Sequence, residues 1–508
     1  MNFNNIVIVG GGSAGWMTAA TLVKAFPNKN ITLVESPEVP VVGVGESTTQ
    51  LMRRWLNYLG IPNEDLIKKC NATNKLSIRF ENFNLDDKKG FHYPFGRLDE
   101  RRVLVADWFE FQSLNPEVEF ENFVEMMSPI AYCLDTNKVP TQEIDFWNLN
   151  QDSAWHFDTH LFYGYLRDEY AIPRGVKRVV GHVENVEQGE NGFITSVITK
   201  DDKITGDVFF DCTGFKRLLI EGAMKEPWRP FNNKTYTDSA WAAGRPYVNK
   251  QEELRLYTNS VALRHGWVWE IPNWARIGTG YNYASEYISD EDALQEFKDY
   301  LGPIHEQMEF KHIRMRNGMS ERMWVKNCVS IGLSGAFIEP LESNGLMSVH
   351  EFLINFVNIC DGKDILNNFD AHSFNHVCRE QFLYFADFIT IHYAMTNRSD
   401  SKYWQDIMAQ DFNDSDVLKQ LYDLRGCQHY EIHERLTFAD LGAHLYMLAG
   451  HKINPFTDLK RSCANFWGNS PPDVIKNLNK KMQPYLDRRK KIIEGFPNSV
   501  EYYEQFHR

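Results

Sequence analysis

Ile6-Val7-Ile8-Val9-Gly10-Gly11-Gly12-Ser13-Ala14-Gly15-Trp16 is the stretch that decides the fold class of this chain. Four apolar residues read as a short buried strand, and the glycines behind them form a loop spaced Gly10-x-Gly12-x-x-Gly15. Trp16 to Ala25 then reads as a helix, and Ile31 to Val34 as a second strand ending in Glu35. That run is a βαβ unit with parallel strands. Its glycines let the backbone approach a pyrophosphate, whose charge the free amides of the helix N-terminus stabilise. Gly10, Gly12, Ser13, Ala14 and Gly15 are therefore read as cofactor-binding. Glu35, about twenty residues past the last glycine, stands where an acid accepts from a ribose hydroxyl. The motif implies a dinucleotide without choosing between NAD and FAD.

Working outward, Phe193 to Thr199 and Val208 to Asp211 read as later strands of the same module. Cys328 to Gly332 reads as another, followed by a helix from about Gly345 to Val357. The fold expected is α/β: a Rossmann-like βαβ unit plus sheet, assembled from separated pieces 1–95, 151–225 and 321–360. The remaining segments, 96–150, 226–320 and 361–508, are expected to form a second, largely helical module. Within it, Phe374, Val377, Phe382, Phe385, Ile389 and Tyr393 recur at helical spacing and predict one long amphipathic helix. Lys480 to Lys491 reads as a solvated helix face.

Composition narrows the class. A chain of 508 residues with 43% hydrophobic and 14% aromatic content has ample material for a buried core. Its formal charge of −14 argues against nucleic acid, which needs clustered Lys and Arg. The eight cysteines form no CxxC pair or compact disulfide framework, so reduced thiols in a cytoplasmic setting are expected. No signal peptide or membrane span is visible. His156-Phe157-Asp158-Thr159-His160 could supply three metal ligands. On a helix, however, Asp158 would point away from the histidine pair, so no metal is expected there.

Trp267-Val268-Trp269-Glu270-Ile271-Pro272 adds a second signal. Tryptophans two apart on a strand share a face and make a rigid dry wall, and Pro272 ends the ladder. Taken with the glycine loop, this stretch resembles the flavin-dependent halogenases of the tryptophan-halogenase type. The resemblance runs to about residue 405. It implies a hydroxylase-type FAD-binding fold, with FADH2 supplied by a separate NAD(P)H-dependent flavin reductase. In that family, reduced flavin and O2 oxidise halide to hypohalous acid, and the aromatic wall keeps organic substrate from the flavin. Asp211-Cys212-Thr213-Gly214 and Ser330-Ile331-Gly332-Leu333-Ser334 end strands with small residues, as FAD folds do. Flavin hydroxylases carry Gly-Asp at the second point. Gly332-Leu333 moves this chain towards the halogenases and places Leu333 beside the cofactor.

The same resemblance implies the reacting groups. Lys75, in Asn71-Ala72-Thr73-Asn74-Lys75-Leu76-Ser77-Ile78-Arg79-Phe80, matches the segment around the family's essential lysine. It would hand on the halogen either by polarising hypohalous acid or as a haloamine. Glu339-Pro340-Leu341-Glu342-Ser343-Asn344-Gly345 matches Glu-Pro-Leu-Glu-Ser-Thr-Gly. That match makes Glu342 the carboxylate near Lys75 and Ser343, Asn344 and Gly345 the halide pocket. Asn344 replaces the usual Thr, so bromide and iodide are expected as readily as chloride. Gly43-Val44-Gly45-Glu46-Ser47 resembles the strap between flavin and substrate, with Gly45 close to the cofactor. His392 through Arg398 and Asp400 to Trp404 resembles a family stretch with a structural Arg–Asp pair.

The resemblance thins at the substrate. Enzymes taking free tryptophan carry His-Pro-Phe and a tyrosine pair ahead of Leu-Ala-Gly. Here Tyr93-Pro94-Phe95 and His444-Leu445 stand instead, ahead of Leu448-Ala449-Gly450. Tyr93, Phe95, Trp267 and Trp269 are the expected substrate-side residues, for a small electron-rich aromatic other than free tryptophan. The assembly, monomer or homodimer, is left open. The rivals are an FAD-dependent aromatic monooxygenase and a flavin-binding scaffold or redox carrier.

Overall fold

The computed structural model describes residues 1–508 except 38–45, 86–88, 97–101, 232–236, 413–414, 420, 422–441 and 455–472. Gly45 and most of the expected strap therefore lie outside the described residues, while Glu46 and Ser47 form a two-residue strand.

The first strand, Asn5–Val9, lies at the middle of a six-stranded sheet. The order is Trp324–Val325, Cys328–Ser330, Val208–Asp211, Asn5–Val9, Asn30–Glu35, Lys177–Val180. All neighbours are parallel except the Trp324–Val325 edge. Continuous apolar runs such as Ile6 to Val9, nearly fully buried, suit a parallel sheet covered on both faces. The helix Ser13–Ala25 covers one face, and the helix Met347–Cys360 packs against it. The expected strand at Phe193 to Thr199 exists as Ile194–Thr199, but not in this sheet. It pairs antiparallel with Val183–Gln188 and Lys203–Thr205 in a sheet of three. The short turn through Asp201 and Asp202 permits only a hairpin, and a parallel return needs a longer crossover.

The segment 226–320, expected in the helical module, contributes mostly sheet. Lys311–Arg314, Ser239–Arg245, Ile277–Tyr283, Gly266–Pro272 and Tyr257–Leu263 run in that order, and Ser77–Glu81 and Phe91–Pro94 complete seven strands. Long runs rich in Trp, Tyr, Val and Thr favour this half-buried pleated surface. Beside the helix Asp290–Leu301, the helices of the segments expected to form the second module lie in 102–152 and after 361. There Asn368–Ala394 forms one helix of 27 residues, opened by a reciprocal Asn367/Asp370 capping box. Phe374, Phe382, Ile389 and Tyr393 are buried as expected, but Val377 is exposed. The buried row follows 374, 378, 382 and 386, at the four-residue step of one helix face. Arg398 donates to both oxygens of Asp400 just beyond the helix, at 2.7 and 3.0 Å.

Alternation along the seven-stranded sheet puts Trp267, Trp269, Ile78, Phe80 and Thr258 on the face towards the core. Trp267 and Trp269 lie 6.2 Å apart, centre to centre. Gly280 sits opposite Trp269, and a Cβ there would stand 2.2 Å from the indole edge. Only glycine lets the ring lie flat across the neighbouring strand. Among the described residues, no helix is long and apolar enough to cross a membrane. Six described cysteines are free and buried.

Candidate active site

At the glycine loop, Gly10 holds φ +115°, a conformation side chains rarely adopt. A Cβ on Gly15 would stand 1.8 Å from the Gly10 carbonyl oxygen, whereas a Cβ on Gly12 would meet nothing within 4 Å. The loop is thus closed towards its own backbone and open at Gly12, beside a helix N-terminus with no side-chain cap. That is the shape a pyrophosphate requires. Glu35 lies against Gly11 and accepts from the Trp16 indole at 3.1 Å, and Arg178 Nε donates to its other oxygen at 2.5 Å. A carboxylate has about four acceptor positions, so two bonds leave room for a ribose hydroxyl. Gly332, at φ +73°, abuts Ala14 of the loop and brings half-buried Leu333 to the same end of the sheet. Asp211 is fully buried and accepts from the amides of Thr213, Leu219 and Ile220. It orders the chain reversal at this end of the sheet. The residues present fit a dinucleotide such as FAD.

Lys75 lies on a three-residue strand, Thr73–Lys75, paired antiparallel with Ala154–Phe157. Its side chain has no solvent exposure. Nζ donates to Ser343 Oγ at 2.6 Å and to the Thr48 carbonyl at 3.1 Å, and lies 4.8 Å from the centre of the Phe95 ring. Burial pulls its pKa well below the usual lysine value, and the Glu342 charge opposes that shift without cancelling it. Lys75, Glu342, Ser343 and Phe95 are thus brought together, although Lys75 and Ser343 are separated by more than half the chain. Ser343 itself takes φ +59°, left-handed for a residue with a side chain, at the end of the turn Pro340–Glu342.

Beyond that turn, the backbone N–H groups of Asn344 and Gly345 have no acceptor among the described residues. They precede the helix Met347–Cys360, whose N-terminus also lacks a side-chain cap. Asn344 is buried; its Nδ2 donates to the Ile338 carbonyl at 3.4 Å, and its Oδ1 has no partner.

An aromatic cluster extends from the Phe95 ring beside the amine. Tyr93 packs on Phe95 (5.7 Å), Phe388 (6.3 Å) and Tyr446 (6.2 Å), and Phe388 packs on His392 and His444. Trp267 is a core residue with no exposure, and Trp269 is half-buried. The Trp267 indole points towards buried Glu339 without an aligned hydrogen bond. Glu339 accepts from the hydroxyls of Thr237 and Tyr393, and burial pushes its carboxyl up to about 8.

Three groups around the Lys75, Glu342 and Ser343 cluster were not anticipated. His392, fully buried, places Nε2 2.8 Å from Glu342 Oε1, and its ring lies tilted against Phe80, 4.6 Å centre to centre. Glu339 ties the turn before Ser343 to Thr237 and to Tyr393 of the long helix. Thr48 offers only its carbonyl, which no side-chain pattern can announce. A signal did exist for His392: a histidine at the all-round buried end of the long helix needs a polar partner. The expected His156–His160 pair is not gathered. His156 lies within a strand, buried against the Pro272 carbonyl and Thr258 Oγ1, while His160 is exposed on the following helix. A cavity of about 470 Å³ lies on the other face of the seven-stranded sheet. Its Arg79–Glu81 and Arg245–Glu253 pairs engage one another, and it lies away from Lys75.

The tryptophan halogenase family model matches residues 5–462. The chain belongs to the tryptophan halogenase family. It is 31% identical over 544 aligned positions to the tryptophan 7-halogenase RebH of Lentzea aerocolonigenes, covering 99% of each chain. It is 34% identical to the tryptophan 6-halogenase ThaL of Streptomyces albogriseolus, over 79% of this chain and 78% of that one. The solved apo structure of VirX1 superposes with a TM-score of 0.90 at 32% identity over 99% of both chains. That of the tryptophan 6-halogenase SttH from Streptomyces toxytricini gives 0.85 at 31%, over 99% of this chain and 100% of that one. As a tryptophan-halogenase family member, the protein is an enzyme, an FADH2-dependent halogenase acting on an aromatic substrate.

Proposed function

We propose that the halogenase acts on a small electron-rich aromatic, an indole or phenol other than free tryptophan, with Lys75 as the halogen-delivering group. The buried amine at 2.6 Å from Ser343 Oγ and 4.8 Å from the Phe95 ring supports this reading above all. When bound, reduced FAD supplies with O2 the oxidising power that turns halide into hypohalous acid. A separate flavin reductase is the expected source of FADH2.

Gly10, Gly12, Ser13, Ala14 and Gly15 would hold the pyrophosphate, Glu35 a ribose hydroxyl, and Leu333 the ring end. The open amides of Asn344 and Gly345, with Ser343 beside them, suit an anion. Lys75 holds the hypohalous acid by a hydrogen bond or takes its halogen as a haloamine. Its lowered pKa favours the neutral amine, and the Glu342 charge favours the ammonium. The halogen then adds to the aromatic ring, and Glu342 takes the displaced ring proton. His392 Nε2 lies 2.8 Å from that carboxylate, without an aligned hydrogen bond between them. Tyr93 and Phe95 offer ring faces to stack on. His444, packed on Phe388, replaces the tyrosine grip expected for an amino acid. Asn344 is longer than Thr and changes the halide pocket, so bromide and iodide are accepted beside chloride.

Incubation with FAD, a reductase, NADH and a panel of indoles, phenols and free tryptophan, with each halide in turn, tests this. Product masses should show halogen on an indole or phenol and little on tryptophan. Hydroxylated, halide-independent product would overturn the reading, and efficient regioselective turnover of tryptophan would overturn its substrate half.

A further inference from the structure

The strand carrying Lys75 lies at the edge of its sheet, so a neighbouring strand holds it on one side only. The helix Ser499–His507 closes the other side. The Tyr503 hydroxyl, with no solvent exposure, accepts from the Asn74 backbone N–H at 2.6 Å and donates to Asn74 Oδ1 at 2.7 Å. Asn74 Nδ2 donates in turn to Ser153 Oγ at 3.2 Å, and Arg53 Nε donates to the Ser153 carbonyl at 2.6 Å. Burial pushes the Tyr503 pKa upwards, so the hydroxyl stays neutral and serves as both donor and acceptor.

The helix itself is firmly seated. Ser499 N donates to the Asn137 carbonyl at 3.0 Å, and Ser499 Oγ to the Leu254 carbonyl at 2.7 Å. His507 stacks on Trp274 at 4.8 Å, and the Trp274 amide donates to the Asn71 carbonyl at 2.9 Å, just before the Lys75 strand. One face of the helix therefore grips the segment 71–74 at two points.

We propose that Tyr503 is a positioning residue for Lys75. Its hydroxyl replaces the missing neighbour strand at Asn74 and so sets how far the next side chain reaches towards Ser343 and Phe95. This rests on the reading of Lys75 as the halogen-delivering amine. Tyr503→Phe removes one group and leaves the Asn74 N–H and Oδ1 buried without it, so the edge strand is free to shift. A displacement of about 1 Å at a reacting group costs on the order of a hundredfold in rate.

The test uses the full chain with FAD, reductase, NADH, halide and the aromatic acceptor found in the panel. Product formed per NADH consumed, acceptor KM and hypohalous acid caught by an added β-diketone are measured together. Tyr503→Phe should lower product formation about ten- to hundredfold. Flavin oxidation and KM should hold, and trapped hypohalous acid should rise. Tyr502→Phe, which changes a neighbour with no bond to Asn74, should behave as the parent. Asn74→Ala should uncouple in the same direction, and the double variant should add little to Tyr503→Phe. If Tyr503→Phe does not fold, Asn74→Ala carries the test alone, and unchanged coupling there overturns the proposal. Lys75→Ala is run beside them. Continued halogenation by Lys75→Ala sinks the reading of Lys75 and this inference with it. Loss in Lys75→Ala with full coupling in Tyr503→Phe sinks the positioning role alone.

Discussion

The dinucleotide loop takes its working parts from residues 5–35, whereas the Lys75 site gathers residues 48, 75, 95, 342, 343, 392 and 503 from across the chain. The first is built of backbone: positive φ at Gly10, contact distances that exclude a Cβ at Gly15, and amides at a helix end. The second is built mostly of side chains, delivered by elements far apart in the chain, with the Thr48 carbonyl as its backbone contribution. A backbone site is constrained locally and tolerates little at any one position. A side-chain site depends on distant packing and can be uncoupled piece by piece while the fold stands.

That contrast can be broken first at the side-chain site. Glu342→Gln keeps the shape but removes the charge beside Lys75 and the base proposed for the ring proton. Product formation should fall about a hundredfold, as for loss of a general base. Flavin oxidation and FAD affinity should stay as in the parent. A parallel loss of FAD affinity, measured by fluorescence titration, would show that the two regions are not separable.

The reciprocal change, Gly15→Ala, places a methyl group 1.8 Å from the Gly10 carbonyl oxygen in the present backbone. Overpacking of this kind costs about 1–3 kcal/mol. If it falls on the bound state, FAD affinity drops about ten- to hundredfold. Product per NADH, measured at saturating FAD, should be untouched. Lost coupling at full occupancy would mean the loop also shapes the chemistry.

The smallest effect on turnover is expected at Glu339. Its folded-state pKa of about 8 lies above the ordinary carboxyl value, so the native chain keeps a proton the unfolded chain releases. The stability this proton contributes is complete below the unfolded pKa and is lost as pH rises through 8. Glu339→Gln cannot ionise and should lack that slope. Between pH 5 and 9 the parent should lose on the order of a few kcal/mol relative to the variant. Parallel melting curves across this range would show that Glu339 is not held protonated.

Legibility follows the same division. The glycine loop, its helix and Glu35 could be read because each obeys a constraint within a few residues. The aromatic wall could be read in part, since two tryptophans two apart on a strand must share a face. Lys75 carries no such mark. A lysine in Thr73-Asn74-Lys75 has the pattern of a surface strand, and only the resemblance marked it. Its burial is created by Thr48, Phe95 and Ser343, none of them close in sequence. His392 and Tyr503 were missed for the same reason, their partners lying 50 and 429 residues away. The seven-stranded sheet was missed where strands of 226–320 join strands at 77–81 and 91–94, a pairing that leaves no local period.

Gly280 carries a practical consequence for anyone redesigning the enzyme. The indole of Trp269 occupies the volume any larger residue at 280 would claim. A library randomised at 280 with Trp269 retained should therefore return glycine there. Variation at this surface must enter through the rings themselves.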